Sequence, residues 1–214
     1  VSESRLREVI DISARALYEK MNGGAIVVEN EASMQLHLSS ILKSIGEIYV
    51  NTRDEIFGIE LEKPVSLEQG AFVKSGSNKA KVDIYIYFEN LVSGLKSSCA
   101  IELKFFKKSN HREPNNRYDV FKDIHNLENY STFSDFGVML VGTDHRHYID
   151  HDSYSKETGD FDFRNGSTYT QGTELIYYPK AGKQPYGSPI TLSQNYEFQW
   201  WLPKSKVGLL FLEI

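Results

Sequence analysis

Residues 82–88 and 98–106 constrain this chain more than any other stretch. Both are rich in β-branched and aromatic residues and short enough for strands, and only a turn over 90–96 separates them. They are predicted to pair as an antiparallel hairpin. Successive side chains on a strand point to opposite faces. In the second strand Ile101, Leu103 and Phe105 take one face, while Glu102 and Lys104 share the other, about 7 Å apart. Asp83 stands near the start of the first strand. Charges within segments otherwise fit for burial are costly unless they are paired or hold a metal. Glu102 and Lys104 alone read equally well as a solvated strand face; Asp83 in the neighbouring strand adds a second acid to be explained.

The flanking segments predict how the hairpin is covered. Over 4–21, Leu6, Val9, Ile10, Leu17 and Met21 recur at helical spacing, Ser2 or Ser4 offers a cap, and Gly23-Gly24 supplies a stop. A second helix is predicted over 31–46, capped by Asn30, with Leu38, Ile41, Leu42 and Ile45 as its apolar stripe. Glu31 lies two turns before Leu38 on the same face, so that stripe begins with a carboxylate. A strand is expected over 56–61 and a polar turn over 74–79. Beyond the hairpin, 107–116 reads as a polar loop containing Pro114 and 117–131 as a helix with Val120, Phe121, Ile124, Leu127 and Glu128 around its inner face. Residues 136–143 then read as a buried strand. A strand, a helix and a second apolar strand imply a crossover and a parallel pair. The fold class expected is α/β, a central mixed β-sheet flanked by helices, in a single domain over 1–214. Residues 150–195 are turn-rich and read as irregular, with a short strand near 175–178. A terminal hairpin is expected from 196–202 and 207–214, turning at Lys204-Ser205-Lys206.

An acid at the start of one strand, followed in the paired strand by Glu-X-Lys, resembles the PD-(D/E)XK nuclease superfamily. The residues that carry the resemblance are Val82-Asp83-Ile84 and Ile101-Glu102-Leu103-Lys104, with Glu31 on a preceding helix and a helix and strand following over 117–143. No proline precedes Asp83; Val82 stands there instead. The resemblance spans about 31–143 and implies a restriction-endonuclease-like core, with a β-rich extension over about 150–214. It implies a Mg²⁺-dependent endonuclease, a hydrolase of DNA phosphodiester bonds, acting in restriction or defence, with Mn²⁺ able to substitute. The catalytic set would be Asp83, Glu102, Lys104 and Glu31. Metal would be held by Asp83, Glu102, the carbonyl of Leu103 and Glu31. Hard carboxylate oxygens suit Mg²⁺, and a bound ion acidifies its water and offsets charge on the phosphate. Lys104 fits a positioning and electrostatic role better than proton abstraction, because neighbouring carboxylates push its pKa up. Lys79 and Lys81 before Asp83, and Lys107, Lys108 and Arg112 after Lys104, would form a basic rim for nucleic-acid phosphates; solvated loop charges are the alternative. On the following helix, Lys122 and Tyr130 are further candidates to approach the site. Cutting both strands suggests a homodimer.

Composition pulls partly the other way. The 214 residues are 40% hydrophobic and 25% charged, a globular profile, but the net charge is −5, whereas a protein that grips nucleic acid tightly is usually basic. That balance keeps open a nuclease-fold module that binds nucleic acid or another partner without turnover. The rival metal motif is His145 and His147, which would share one face of an extended segment and suit zinc; a polar loop after a core strand is the plainer reading. Cys99 reads as core. One of Trp200 and Trp201 should be core too, and the other is available to stack on a base or at a dimer contact. With a single cysteine, no signal-peptide pattern near Val1 and no apolar run of about 18 residues, a cytoplasmic protein is expected.

Overall fold

The structure is a computed structural model that describes residues 2–66, 79–110, 112–180 and 184–214. Helix α1 spans Glu3–Asn22 and α2 spans Glu31–Ile48. In α1 the residues Leu6, Val9, Ile10, Leu17 and Met21 are buried, joined by Ala14. Ser2 occupies its N-cap position but makes no side-chain cap bond, and the Gly23 N–H closes the helix by donating to Glu19 O at 2.8 Å. The start of α2 is better fixed. Asn30 Oδ1 accepts from the Ser33 N–H at 2.8 Å, and Ser33 Oγ accepts from the Asn30 N–H at 3.0 Å, a reciprocal capping box. The centre of its buried stripe is Met34, Leu38, Leu42 and Gly46; Ile41 and Ile45 lie at its margin, only partly buried.

Strands β1 (Glu55–Ser66), β2 (Lys79–Asn90) and β3 (Lys96–Phe106) form an antiparallel meander. Helix α3 (Glu113–Glu128) then crosses over to β4 (Phe136–Thr143), which lies parallel to β3. A short helix α4 (His147–Asp150) follows, and then two-residue strands β5 (Thr168–Tyr169), β6 (Glu174–Leu175), β7 (Ile190–Thr191), β8 (Tyr196–Glu197) and β9 (Trp200–Trp201). Strand β10 (Gly208–Glu213) ends the chain. The central mixed sheet has six strands in the order β1-β2-β3-β4-β10-β9. Helices α1 and α2 cover one face, where Ile84, Ile86, Ile101 and Leu103 point. Helix α3 and the segment after α4 cover the other, over Tyr85, Ala100 and Phe106. The expected α/β class and the parallel β3–β4 pair are therefore observed.

Several boundaries differ from expectation. Strand β1 runs well beyond 56–61 because β2 pairs with it along its length. The polar turn expected at 74–79 lies outside the described residues, apart from the main chain of Lys79. Helix α3 starts at Glu113 rather than 117, with Pro114 in its first turn, where the absent N–H costs no helical bond. The 150–195 region has little regular structure, yet it is not a loose insert: Phe161, Phe163, Ile190 and Leu192 are fully buried against the α3 side of the core. Its strand near 175 stops at Leu175. The terminal hairpin is only partial, since Trp200–Trp201 pairs with β10 but Tyr196–Glu197 turns away to pair with β5. Among the described residues no helix is long and apolar enough to cross a membrane.

The contact between α2 and β1 gives a test. A Cβ added at Gly46 would lie 2.4 Å from the Phe57 ring, which is itself buried. Gly46→Ala is expected to destabilise the fold by about 1–3 kcal/mol through overpacking, read as a lower urea midpoint at unchanged slope. An unchanged midpoint would show that the helix does not bear on the sheet there.

Candidate active site

The site lies where two strands part. The β2–β3 ladder runs from Glu89–Lys96 to Ile84–Ile101 and stops there. On the other side of β2, pairing with β1 skips Asp83, opposite which stands Glu62 with a φ of 51°. Main-chain groups released from a ladder must find other partners. The Leu103 N–H donates to Asp83 Oδ2 at 2.7 Å, and the Asp83 carbonyl accepts from Gln35 Nε2 of α2 at 2.6 Å. Gln35 also donates to Glu62 Oε1 at 3.1 Å. Asp83 is thus fixed from both sides by the interruption it occupies.

Alternation along β3 places the other two members. Leu103 is fully buried in the α1–α2 core, so Glu102 and Lys104 face α3. Glu102 is 5% exposed, and Tyr130 just beyond α3 donates its hydroxyl to Glu102 Oε1 at 3.2 Å. Lys104 Nζ lies 2.7 Å from Asp123 Oδ2, 3.5 Å from Glu31 Oε2 and 3.0 Å from the Leu103 carbonyl. Glu31 does not sit in the buried stripe as expected. It precedes Met34 at the free end of α2, is about half exposed, and leans over the end of β3 to reach Lys104.

Charge at this point is unbalanced. Burial and the neighbouring Asp123 and Asp83 carboxylates push Glu102 well above the usual carboxylate range. Burial also raises Asp83, against the pull of Lys104 and the Leu103 N–H. Burial alone would lower Lys104, but Asp123, Glu31 and Glu102 outweigh it and hold the amine well above its ordinary value. Lys104 is therefore charged at neutral pH and has no free pair with which to take a proton. Glu31, Asp83, Glu102 and Asp123 together outnumber the lysine they surround. Among the described residues no group of three or more His, Cys, Asp and Glu side chains is already drawn together to ligate a metal. Around Asp83 the carboxylates gather on the Lys104 ammonium instead. The donor chemistry nonetheless fits Mg²⁺: carboxylate oxygens and a main-chain carbonyl, with negative charge in excess of the cation present.

Asp123 and Gln35 escaped the sequence reading. The signal for Asp123 is a polar stripe: Asp119, Asp123, Asn126 and Tyr130 recur at helical spacing, a quarter-turn from the apolar face of α3. Lys122 is half-buried next to it, and it is Asp123 that reaches Lys104. Of the expected basic rim, Lys81 lies 3.7 Å from Glu62 and Lys107 is paired with Glu29. Lys108 and Arg112 are exposed, and the Lys79 side chain lies outside the described ones. The rim is thus partly neutralised by its own acids.

The rival histidine motif is not an extended strand. His147 begins α4 and is 3% exposed, its Nε2 3.5 Å from Glu113 Oε1, and burial lowers its pKa. Cys99 is fully buried, and burial pushes its thiol well up. Trp200 is core, its indole N–H donating to Phe163 O at 2.8 Å. Trp201 is partly buried and packs edge-on to Tyr18 of α1 at 5.7 Å, with Arg15 over its ring. No protein-family model, curated protein or solved structure matches the chain.

Glu102 supplies a test. Its pKa is higher in the folded chain than in the unfolded one, so the metal-free fold binds more protons, and stability falls as pH rises from the ordinary glutamate range through the folded value. Glu102→Gln removes the buried charge and keeps an acceptor for Tyr130. In EDTA at mildly alkaline pH the variant is expected to melt above the wild type, with the gap closing as pH falls toward the glutamate range. A lower melting temperature without a pH trend would mean that Glu102 carries no electrostatic strain.

Proposed function

We propose that this chain is a metal-dependent endonuclease of the PD-(D/E)XK type, hydrolysing phosphodiester bonds in DNA on a restriction-endonuclease-like core. The observation that carries the reading is the grouping at the end of the β2–β3 ladder. Asp83 caps the Leu103 N–H there, Glu102 and Lys104 project from one face of β3, and Glu31 reaches in from α2. Mg²⁺, or Mn²⁺ in its place, would be held by Asp83, Glu102 and the Leu103 carbonyl, with Glu31 as a further donor. Bound there, the ion supplies Lewis-acid polarisation of the phosphate and a more acidic water.

The chain's own residues account for the rest. Lys104 stays cationic, so it stabilises the oxygens that gain charge as water attacks phosphorus, and it orients that water rather than deprotonating it. Asp123 holds the Lys104 ammonium in place, Oδ2 to Nζ at 2.7 Å. Tyr130 orients Glu102, and Gln35 holds the Asp83 main chain. The acidic balance of the chain favours a substrate that is gripped locally rather than along a long basic track. A homodimer would bring one such site to each strand of a duplex.

Cleavage is read on supercoiled DNA, single-stranded DNA, RNA and a library of genomic fragments, with Mg²⁺ or Mn²⁺. The wild type is expected to cut DNA. Lys104→Ala and Asp83→Asn are each expected to lose on the order of 10²-fold or more, the scale of removing one transition-state donor. Equal cutting by the variants would contradict the assignment. Binding of DNA by a wild type that cuts none of these substrates would support a nuclease-fold binding module instead.

A further inference from the structure

About ten residues before Asp123, the start of α3 borders a second feature that plays no part in the metal site. A cavity of about 460 Å³ opens between the first turn of α3 and the segment after α4, lined by Glu113, Pro114, Tyr154, Tyr177, Pro179 and Lys180 among others. That volume lies in the range of small-ligand sites, which combine apolar walls with a few fixed polar groups. Tyr154 is 65% exposed, unusual for a large ring, yet it lies flat on the His147 ring at 3.9 Å between centroids and 8° between planes. Tyr177 is held by its hydroxyl, which donates to Asn115 Oδ1 at 3.2 Å. The cavity thus has two oriented aromatic residues in its wall.

Its polar group is equally specific. Glu113 is 3% exposed, and its Oε1 accepts from Arg117 Nε and, at 2.6 Å, from Ser153 Oγ. Its Oε2 is buried and has no hydrogen-bond partner among the described residues. Arg117, 1% exposed, already balances the charge. An unused acceptor in a neutralised pair selects a neutral N–H donor rather than a cation. Aromatic walls select a flat ring, and at the rim Lys180 stands with Glu157, which shares its charge. Together these describe a flat ring that carries an exocyclic amine, since a carboxylate accepts readily from such a group.

We propose that this cavity is a base-reading pocket that takes a cytosine, adenine or guanine turned out of the nucleic-acid strand. The pocket stacks the base against Tyr154 and accepts its exocyclic amine at Glu113. Turned-out bases are read in this way, by stacking and by hydrogen bonds to their pairing edge. Along α3 the pocket lies ~15 Å from the residues around Lys104, from the helical rise per residue. A strand could therefore occupy both. The choice of a nucleotide rests on the nuclease reading; the cavity and its donor preference do not.

Binding of dCMP, dAMP, dGMP, dTMP and deoxyribose 5-phosphate to the full chain in EDTA tests this without engaging cleavage. At least one of dCMP, dAMP and dGMP is expected to bind at least tenfold more tightly than dTMP and the base-free phosphate. Tyr154→Ala, at an exposed ring, is expected to weaken that binding about fivefold or more, as loss of a stacking ring does, without moving the melting temperature. Glu113→Gln should erase the preference over dTMP; if it unfolds, Tyr154→Ala decides alone. Lys104→Ala should bind as the wild type does. Equal binding of all five ligands, no binding, or indifference to Tyr154→Ala would overturn the pocket. Selective binding by a chain that cuts no DNA would uphold the pocket and remove the nuclease reading.

Discussion

The hydrogen bond from the Leu103 N–H to the Asp83 carboxylate, 2.7 Å long, stands where a main-chain bond between β2 and β3 would otherwise continue. The geometry around Lys104 follows from that substitution. Because the ladder stops at Ile84–Ile101, the strands part, and the side chains of Glu102 and Lys104 face a gap that α3 and the tip of α2 fill with Asp123, Tyr130 and Glu31. A continued ladder would satisfy the same amide with a carbonyl and leave Asp83 as a buried charge without purpose. The left-handed conformation of Glu62, opposite Asp83 in β1, belongs to the same interruption, because it is strained for any residue but glycine.

Electrostatics then decides what such a gap can do. A lysine among several buried carboxylates is pinned as a cation, which leaves it orientation and charge as its means of action. The carboxylates remain in excess, and Glu102 bears the strain. Natural folds retain strain of this kind where function needs it. A divalent cation bound there would relieve it directly.

Strand periodicity made half of the site legible in the sequence. Glu102 and Lys104 share a face because side chains alternate, and Asp83 stood out as a charge in an apolar strand. Glu31 was visible as an acid in line with an apolar stripe, but not its exposure, which depends on how far α2 projects past the sheet. Asp123 and Gln35 were hidden for another reason. Each is one polar residue among several on a helix, and only the docking of the helix decides which one turns inward. The start of α3 was misplaced because 107–116, with Pro114 within it, reads as a polar loop, although proline suits a first helical turn. The 150–195 segment defeated periodicity altogether. Its buried aromatics, Phe161 and Phe163 among them, follow neither a helical nor a strand repeat, and they enter the core from irregular backbone.

A metal-dependent role for this site requires that the carboxylates beside Lys104 take a divalent ion. Calorimetric titration of Mn²⁺ into the metal-free chain, compared with Asp83→Asn at the same pH, measures this with no assumption about substrate. A saturable site in the wild type, weakened at least roughly tenfold by the loss of one carboxylate charge, is the predicted result. Mn²⁺ binding that is absent from the wild type, or unchanged in Asp83→Asn, would contradict it.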